Sequence, residues 1–108
     1  MSRIDAYIAD HNAAVRSGDW RTFASWFTDE AEVRFEGHPV GPFRGREGIR
    51  RAYESQPPDD EVEVRAVRDD GARTVADYGW KREGGIRAGK LRLHWQGDCI
   101  RELVITFV

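Results

Sequence analysis

The chain has 108 residues, 40% of them hydrophobic and 33% charged, which is the composition of one folded domain and excludes intrinsic disorder. Seventeen basic and nineteen acidic side chains give a net charge of −2, so neither nucleic acid nor a membrane surface is indicated as a partner. Charges recur through the first twelve residues, and Cys99 is the single cysteine. We therefore expect a cytoplasmic protein with no signal peptide and no internal disulfide.

Two helices are predicted at the start of the chain. Apolar side chains and one histidine recur at helical spacing over residues 3–17, at Ile4, Tyr7, Ile8, His11 and Val15. Gly18 is expected to end this helix, and Asp19 to cap a second, shorter one. The second helix carries Trp20, Phe23 and Phe27 toward one apolar side.

A strand and a third helix follow. The segment FTDEAEVRF (27–35) changes to a period of two from Ala31 onward, which predicts a strand with one packed face. After the turn at 37–39 and a short extended piece, glycines at 45 and 48 flank the start of a helix that stops before Pro57-Pro58. Tyr53 lies on the apolar face of that helix.

The rest of the chain predicts an antiparallel meander. Val62, Val64 and Ala66 alternate with charged residues, and turn sequences at 69–71, 83–85 and 97–98 separate strands over 73–82, 86–96 and 99–108. The last strand is apolar on both faces. We expect its outer face to join two copies of the chain, through Val75, His94, Ile100 and Val104.

The order of these elements resembles the nuclear-transport-factor-2-like superfamily, in particular its SnoaL-like and ketosteroid-isomerase-like branches. The features that carry the resemblance are the Gly18-Asp19 junction, the strand that begins Asp29-Glu30-Ala31, the Gly45-x-x-x-Ile49 helix and the final meander. The resemblance covers nearly the whole chain. It implies one domain over residues 1–108 with an α+β fold, in which a strongly curved antiparallel sheet encloses the helices as a cone around an apolar pocket.

The resemblance also indicates where catalytic groups would lie. The oxyanion-hole tyrosine of the steroid isomerases corresponds to His11 here, their general-base aspartate to Phe35 and their second acid to Leu91. Two of these three positions are apolar, so steroid-isomerase chemistry is not expected. The Asp-Arg-Asp set of the related epoxide hydrolases is not evident either, although Asp77 and Arg92 lie on adjacent predicted strands.

His11 is the leading candidate for chemistry, because an imidazole on the apolar face of a pocket helix can donate, accept or exchange a proton near neutral pH. The alternative is a core histidine satisfied by one partner. Tyr78, Tyr53 and Asp77 are the candidate assistants. For Asp77 the competing interpretation is an outward ion pair with Lys90 or Arg92.

The predicted ligand-binding walls are aromatic or apolar: Tyr7, Trp20, Phe23, Phe27, Phe35, Trp80, Leu93 and Trp95. Three scattered histidines and the absence of a phosphate-loop pattern indicate neither a metal nor another cofactor. The sequence thus favours a protein that binds a small apolar metabolite, with isomerisation, cyclisation or dehydration as possible reactions. The alternative is a non-catalytic ligand-binding or dimerisation module.

Overall fold

The computed structural model describes residues 2–107 and contains three α-helices and six strands. The helices are α1 (Arg3–Ser17), α2 (Trp20–Ala24) and α3 (Arg46–Ser55), and a 3₁₀ turn spans Lys81–Glu83. The strands are β1 (Phe27–Phe35), β2 (Phe43–Arg44), β3 (Val62–Asp69), β4 (Arg73–Trp80), β5 (Arg87–Gln96) and β6 (Cys99–Ile105).

The helix ends are fixed by local capping. The Ser2 side chain accepts a hydrogen bond from the Asp5 amide at the start of α1, and Gly18 ends that helix in the left-handed conformation with φ of 79°. The Asp19 carboxylate accepts from the Thr22 amide and so starts α2, as the sequence predicts. The helix end at Gly18 and the cap at Asp19 confirm the tight helix pair that the sequence predicts.

The six strands form one sheet in the order β2-β1-β6-β5-β4-β3. Hairpins make β3 to β6 an antiparallel meander, as expected. β1 and β6 are instead parallel neighbours. No hairpin joins this pair, so nothing forces it to be antiparallel, and the chain between the two strands runs through α3 and the other strands.

Register shifts bend the sheet around the helices. They occur between Phe27 and Glu32 in β1, between Tyr78 and Gly79 in β4, and between His94 and Trp95 in β5. A bulged strand bends and twists more strongly than a regular one. The curvature gives the cone-shaped α+β fold that the sequence predicts.

The structure corrects two expected side-chain orientations. Ile100 was placed on the outer face, yet it is fully buried in the core, because the shift at His94 and Trp95 puts an extra residue into β6 before Leu103. Ala66 was expected to alternate with Val62 and Val64, but it has a φ of 53° and is exposed, so the alternation stops there. Val108, also assigned to the last strand, lies outside the described residues.

Within residues 2–107, no helix combines the length and apolar composition needed to cross a bilayer.

Candidate functional site

The concave side of the sheet and the helices enclose a cavity of about 310 Å³. That volume is within the range of small-molecule sites. Helix α1 contributes three residues, and further lining comes from α3 and the segment after it, from every strand except β2, and from the segments after β1 and β6. The lining residues are Tyr7, Ile8, His11, Phe35, His38, Val40, Tyr53, Gln56, Pro58, Val62, Tyr78, Trp80, Leu91, Ile105 and Phe107.

His11 places an imidazole on the helical wall of this cavity. Only 7% of its surface is exposed, and its ring meets Trp20 and Phe23 edge to face, with centroids 5.9 and 5.7 Å away. Burial lowers the pKa of His11, and the opposing effects of its hydrogen bond to Asn12 and of the Glu61 charge are smaller. The imidazole is therefore neutral at pH 7.

The side chain of Asn12 is the hydrogen-bond partner of the His11 imidazole. Its Oδ1 lies 3.0 Å from His11 Nδ1 and accepts a 2.8 Å hydrogen bond from the Val62 amide. Its Nδ2 donates to the Val62 carbonyl at 2.9 Å. The Asn12 amide thus satisfies both backbone groups of Val62 at the start of β3, and fixes the position of His11 relative to the sheet.

Three tyrosines add hydroxyl groups to the cavity wall. Burial raises the pKa of Tyr7 and of Tyr53. The charge of Tyr53 raises the pKa of Tyr7 further, and the charge of Tyr78 does the same for Tyr53. Burial also raises the pKa of Tyr78, whose hydroxyl donates to the Thr106 carbonyl at 3.3 Å. All three remain protonated at neutral pH and are hydrogen-bond donors.

Residues from two segments outside the regular strands contribute to the wall beside β1. The His38 ring, which follows β1, lies 4.6 Å from the Phe107 ring, which follows β6. Phe107 also stacks on Phe35, with centroids 6.3 Å apart. The sequence interpretation placed His38 in a solvated loop, and its side chain is exposed in the structure. It assigned Phe107 to the last strand, which instead ends at Ile105, and did not predict either residue as part of the site.

The cavity brings together six of the twelve predicted site residues. His11, Tyr53 and Tyr78 line it, as do Tyr7, Phe35 and Trp80. Phe35 and Leu91 line the same cavity as His11. These are the two positions that correspond to the acids of the steroid isomerases. The structure therefore places all three corresponding positions around one space.

Five predicted wall residues pack behind the cavity instead of lining it. Trp20 stacks on Tyr53 with centroids 5.0 Å apart, and Phe23 and Phe27 fill the core between the helices. Leu93 is fully buried. Trp95 donates to the Thr74 hydroxyl at 2.8 Å and lies under the Arg3 guanidinium. These side chains support the wall, and their apolar character alone did not distinguish a support from a lining residue.

Asp77 lies away from the cavity. Its carboxylate accepts a 2.8 Å hydrogen bond from Lys90, which lowers the pKa of Asp77, and Arg87 is 3.6 Å away. Arg92 pairs with Glu36 at 2.8 Å and not with Asp77. Asp77 therefore belongs to an outward ion pair with Lys90, which was the competing interpretation of the sequence.

Nine lining residues were not among the predicted site residues: Ile8, His38, Val40, Gln56, Pro58, Val62, Leu91, Ile105 and Phe107. Ile8 has a signal, because it shares the helical stripe of Tyr7 and His11. Leu91 has one in the resemblance. The loop and tail residues have none, since their positions depend on how the sheet curves. Among the described residues, no three His, Cys, Asp or Glu side chains gather as a metal site.

Comparison with known proteins agrees with this geometry. The SnoaL-like domain profile matches residues 8–101. A Methylobium petroleophilum PM1 protein of unknown function with a cystatin-like fold superposes with a TM-score of 0.73 at 18% identity, over 98% of this chain and 76% of that one. A Kribbella flavida DSM 17836 protein, provisionally described as a ketosteroid isomerase, superposes with a TM-score of 0.72 at 13% identity. The superposition covers 98% of this chain and 78% of that one.

An NTF-2 like protein of unknown function from Burkholderia xenovorans LB400 gives a TM-score of 0.69 at 14% identity, over 97% of this chain and 82% of that one. No curated protein sequence matches the chain. At such low identity the solved structures show the shared fold alone, whereas the domain profile covers most of the chain. The protein belongs to the SnoaL-like domain family.

Proposed function

We propose that the protein binds a small, mainly apolar molecule in the cone cavity and moves a proton on it, in a reaction such as isomerisation, cyclisation or dehydration. The observation that carries the proposal is one space of about 310 Å³ that holds a buried neutral imidazole and tyrosine hydroxyls within apolar walls. SnoaL-like domains are a ligand-binding or isomerase-type family, which supports the same assignment.

His11 is the proposed proton acceptor. Its lowered pKa keeps the ring unprotonated at pH 7, so it is ready to take a proton from a ligand in the cavity. Tyr53 is the proposed donor to an oxygen on which negative charge develops, because the Tyr78 hydroxyl already donates to the Thr106 carbonyl. Asp77 has no part in this scheme, because it is paired with Lys90 outside the cavity.

A simple enolisable ketone tests the proposal. 2-Tetralone is uncharged and apolar, and its activated C–H protons exchange with D₂O when a base removes them. We expect the wild-type protein to accelerate this exchange, and His11→Phe to lower the acceleration by roughly 10²-fold or more, the usual contribution of a general base. NMR measures the exchange rate, and phenylalanine preserves the ring packing against Trp20 and Phe23.

The matched control is His94→Phe, which removes a histidine from the outer sheet face, where it contacts Arg101. It should exchange 2-tetralone at the wild-type rate. Equal rates for wild type and His11→Phe, with both proteins folded, would contradict the role of His11 as base.

A second candidate function is ligand binding without catalysis. It is favoured by one observation: the described lining of the cavity contains no carboxylate, although carboxylates correspond to Phe35 and Leu91 in the steroid isomerases. This function predicts that 2-tetralone binds, as seen by chemical-shift changes, but exchanges no faster than in buffer.

We also propose that the chain acts as a single domain, forms a homodimer through its outer sheet face and is cytoplasmic. Val75 and Val104 line a groove of about 290 Å³ on that face, although Val104, which was expected to be exposed there, is only 4% exposed. The free Cys99 is in keeping with a reducing compartment. Subcellular fractionation with an antibody to the chain tests the location.

A further inference from the structure

The backbone of Val62 fixes the orientation of the Asn12 amide. A peptide N–H only donates and a carbonyl oxygen only accepts. The atom that faces the Val62 amide at 2.8 Å must therefore be the oxygen of Asn12, and the atom that faces the Val62 carbonyl at 2.9 Å must be its nitrogen. A flipped amide would break both hydrogen bonds.

The fixed amide in turn fixes the proton on His11. Asn12 Oδ1 only accepts, and it lies 3.0 Å from His11 Nδ1. In the neutral imidazole one ring nitrogen carries hydrogen and the other is an acceptor. The proton therefore stays on Nδ1, and Nε2 carries the free lone pair.

Nε2 has no protein partner among the described residues. No hydrogen bond joins it to residues 2–107, and every fully enclosed side-chain nitrogen or oxygen in that part of the chain has a partner, so Nε2 is not sealed in the core. The hydroxyls of Tyr7 and Tyr53 likewise have no hydrogen-bond partner among the described residues and are not fully enclosed. The cavity thus combines one bare acceptor with hydroxyl donors.

The charges around the cavity exclude an ionic ligand. No Lys, Arg, Asp or Glu is among its described lining residues. Glu61 is the carboxylate whose charge acts on the pKa of His11. It forms ion pairs with Arg16 at 2.7 Å and with Lys81 at 3.4 Å. A carboxylate or ammonium headgroup would lose its hydration without gaining a counter-ion, which is costly.

We propose that Asn12 is a positioning residue that locks His11 with Nε2 unprotonated, and that the cavity consequently selects uncharged hydroxyl compounds, such as phenols or enols with an apolar body. The ligand O–H donates to His11 Nε2, and its oxygen accepts from a tyrosine hydroxyl. This inference rests on the proposed function and names the class of ligand that the same site takes.

Three naphthalenes of similar size test the ligand class on the wild-type protein at pH 7. 2-Naphthol offers both a donor and an acceptor, 2-methoxynaphthalene keeps only the acceptor, and 2-naphthoate is ionised. Loss of the donor leaves Nε2 unpaired, so we expect 2-methoxynaphthalene to bind about tenfold or more weakly than 2-naphthol. 2-Naphthoate should bind more weakly still. NMR chemical-shift titration gives all three dissociation constants.

The proton position is read directly from the ¹⁵N spectrum of the imidazoles. In wild type, His11 should show the Nδ1-protonated form. Asn12→Ala removes the acceptor, so His11 should lose this single form, and the preference for 2-naphthol over 2-methoxynaphthalene should shrink. A residue that only stabilised the fold would leave both readouts unchanged.

The outcomes separate the two proposals. If 2-methoxynaphthalene or 2-naphthoate binds as well as 2-naphthol, the cavity binds apolar molecules but the hydroxyl class is wrong. If His11 of the wild-type protein is protonated at Nε2, the positioning role of Asn12 is wrong, whichever of the three compounds binds. If none of the three binds, the proposed function fails together with this inference. Two of these measurements use wild-type protein, so they stand even where Asn12→Ala does not fold.

Discussion

Burial and hydrogen bonding act on the His11 imidazole in opposite directions. Removal from water disfavours the charged ring and dominates, while the bond to Asn12 and the field of Glu61 favour the charged ring. A histidine in this situation affects stability through its protonation, in addition to the role that we propose for it in the cavity. Protonation of the ring affects the unfolded and folded chains differently, because only the folded chain buries it.

The free energy of unfolding should therefore depend on pH through His11. In the unfolded chain the imidazole titrates near its ordinary pKa of 6.5, and in the folded chain the pKa is lower. Below about pH 6.5 the unfolded chain binds the proton first, so stability falls as pH falls, with a slope of at most about 1.4 kcal/mol per pH unit. Above that pH this group contributes nothing. Urea unfolding at pH 7.5, 6.5 and 5.5 measures the slope.

His11→Phe should lose this part of the slope between pH 6.5 and 5.5, and His94→Phe should keep it. Carboxylates with lowered pKa, such as Asp19 and Asp69, act in a separate window below their ordinary value of 3.8. An unchanged slope in His11→Phe would show that the buried imidazole is not the group that titrates.

Among the elements, those with local signals were predictable. The cap at Asp19, the stop at Gly18 and the alternation of β1 are properties of a few neighbouring residues, and the structure confirms each of them. The parallel pairing of β1 with β6 and the shift that buries Ile100 depend on the curvature of the whole sheet. No window of neighbouring residues contains that information.

At Gly89 the curvature of the sheet depends on the absence of a Cβ atom. A Cβ there would overlap the carbonyl oxygen of Thr106 and touch the Tyr78 ring. The Thr106 amide donates to the Lys90 carbonyl, and the Lys90 amide donates to the Thr106 hydroxyl, so the overlap is not easily relieved. We expect Gly89→Ala to lower the free energy of unfolding by about 1–3 kcal/mol, the usual cost of overpacking. Chemical denaturation measures the loss.

Gly48 provides the matched control. It lies in helix α3, no atom lies within 4 Å of a Cβ built on it, and its φ is not positive. Gly48→Ala should raise stability by about 0.5–1 kcal/mol, since alanine loses less backbone entropy in a helix. Equal effects of the two substitutions would mean that the chain after β6 does not depend on the close approach at Gly89.

At the scale of the whole molecule, the site was partly predictable. The stripe of Tyr7 and His11 on α1 indicated which helix face meets the cavity, and the resemblance placed Phe35 and Leu91 beside it. Helical spacing could not distinguish residues that line the cavity from residues that pack behind them. Trp20 was therefore assigned to the wall, although it lies behind Tyr53. His38 and Phe107 meet across segments nearly seventy residues apart, which no local pattern reveals.

The proposed homodimer should be sensitive to charge. With Ile100 in the core, Val75 and Val104 share the outer groove with Arg34, Arg73 and Arg92, among others. We expect light scattering at micromolar concentration to give twice the chain mass of 12.4 kDa. Val75→Arg should shift the protein toward monomer, because symmetry brings the added cations of both copies to one interface.

Val67→Arg is the control for this variant, since Val67 is an exposed valine of β3 outside that groove. It should leave the mass unchanged. A wild-type monomer at every concentration, or dissociation by both substitutions, would contradict an interface on the outer face.

The clamp between Asn12 and Val62 has a consequence for how the molecule behaves when crowded. An open strand edge is a template on which other chains can build cross-β fibres. Here Asn12 occupies the backbone of β3 at one end, the positive φ of Ala66 turns the strand aside in the middle, and β2 at the opposite edge has only two residues. Neither border of the sheet offers a long straight template, so at high concentration copies should meet through their faces and remain dispersed instead of growing into fibres.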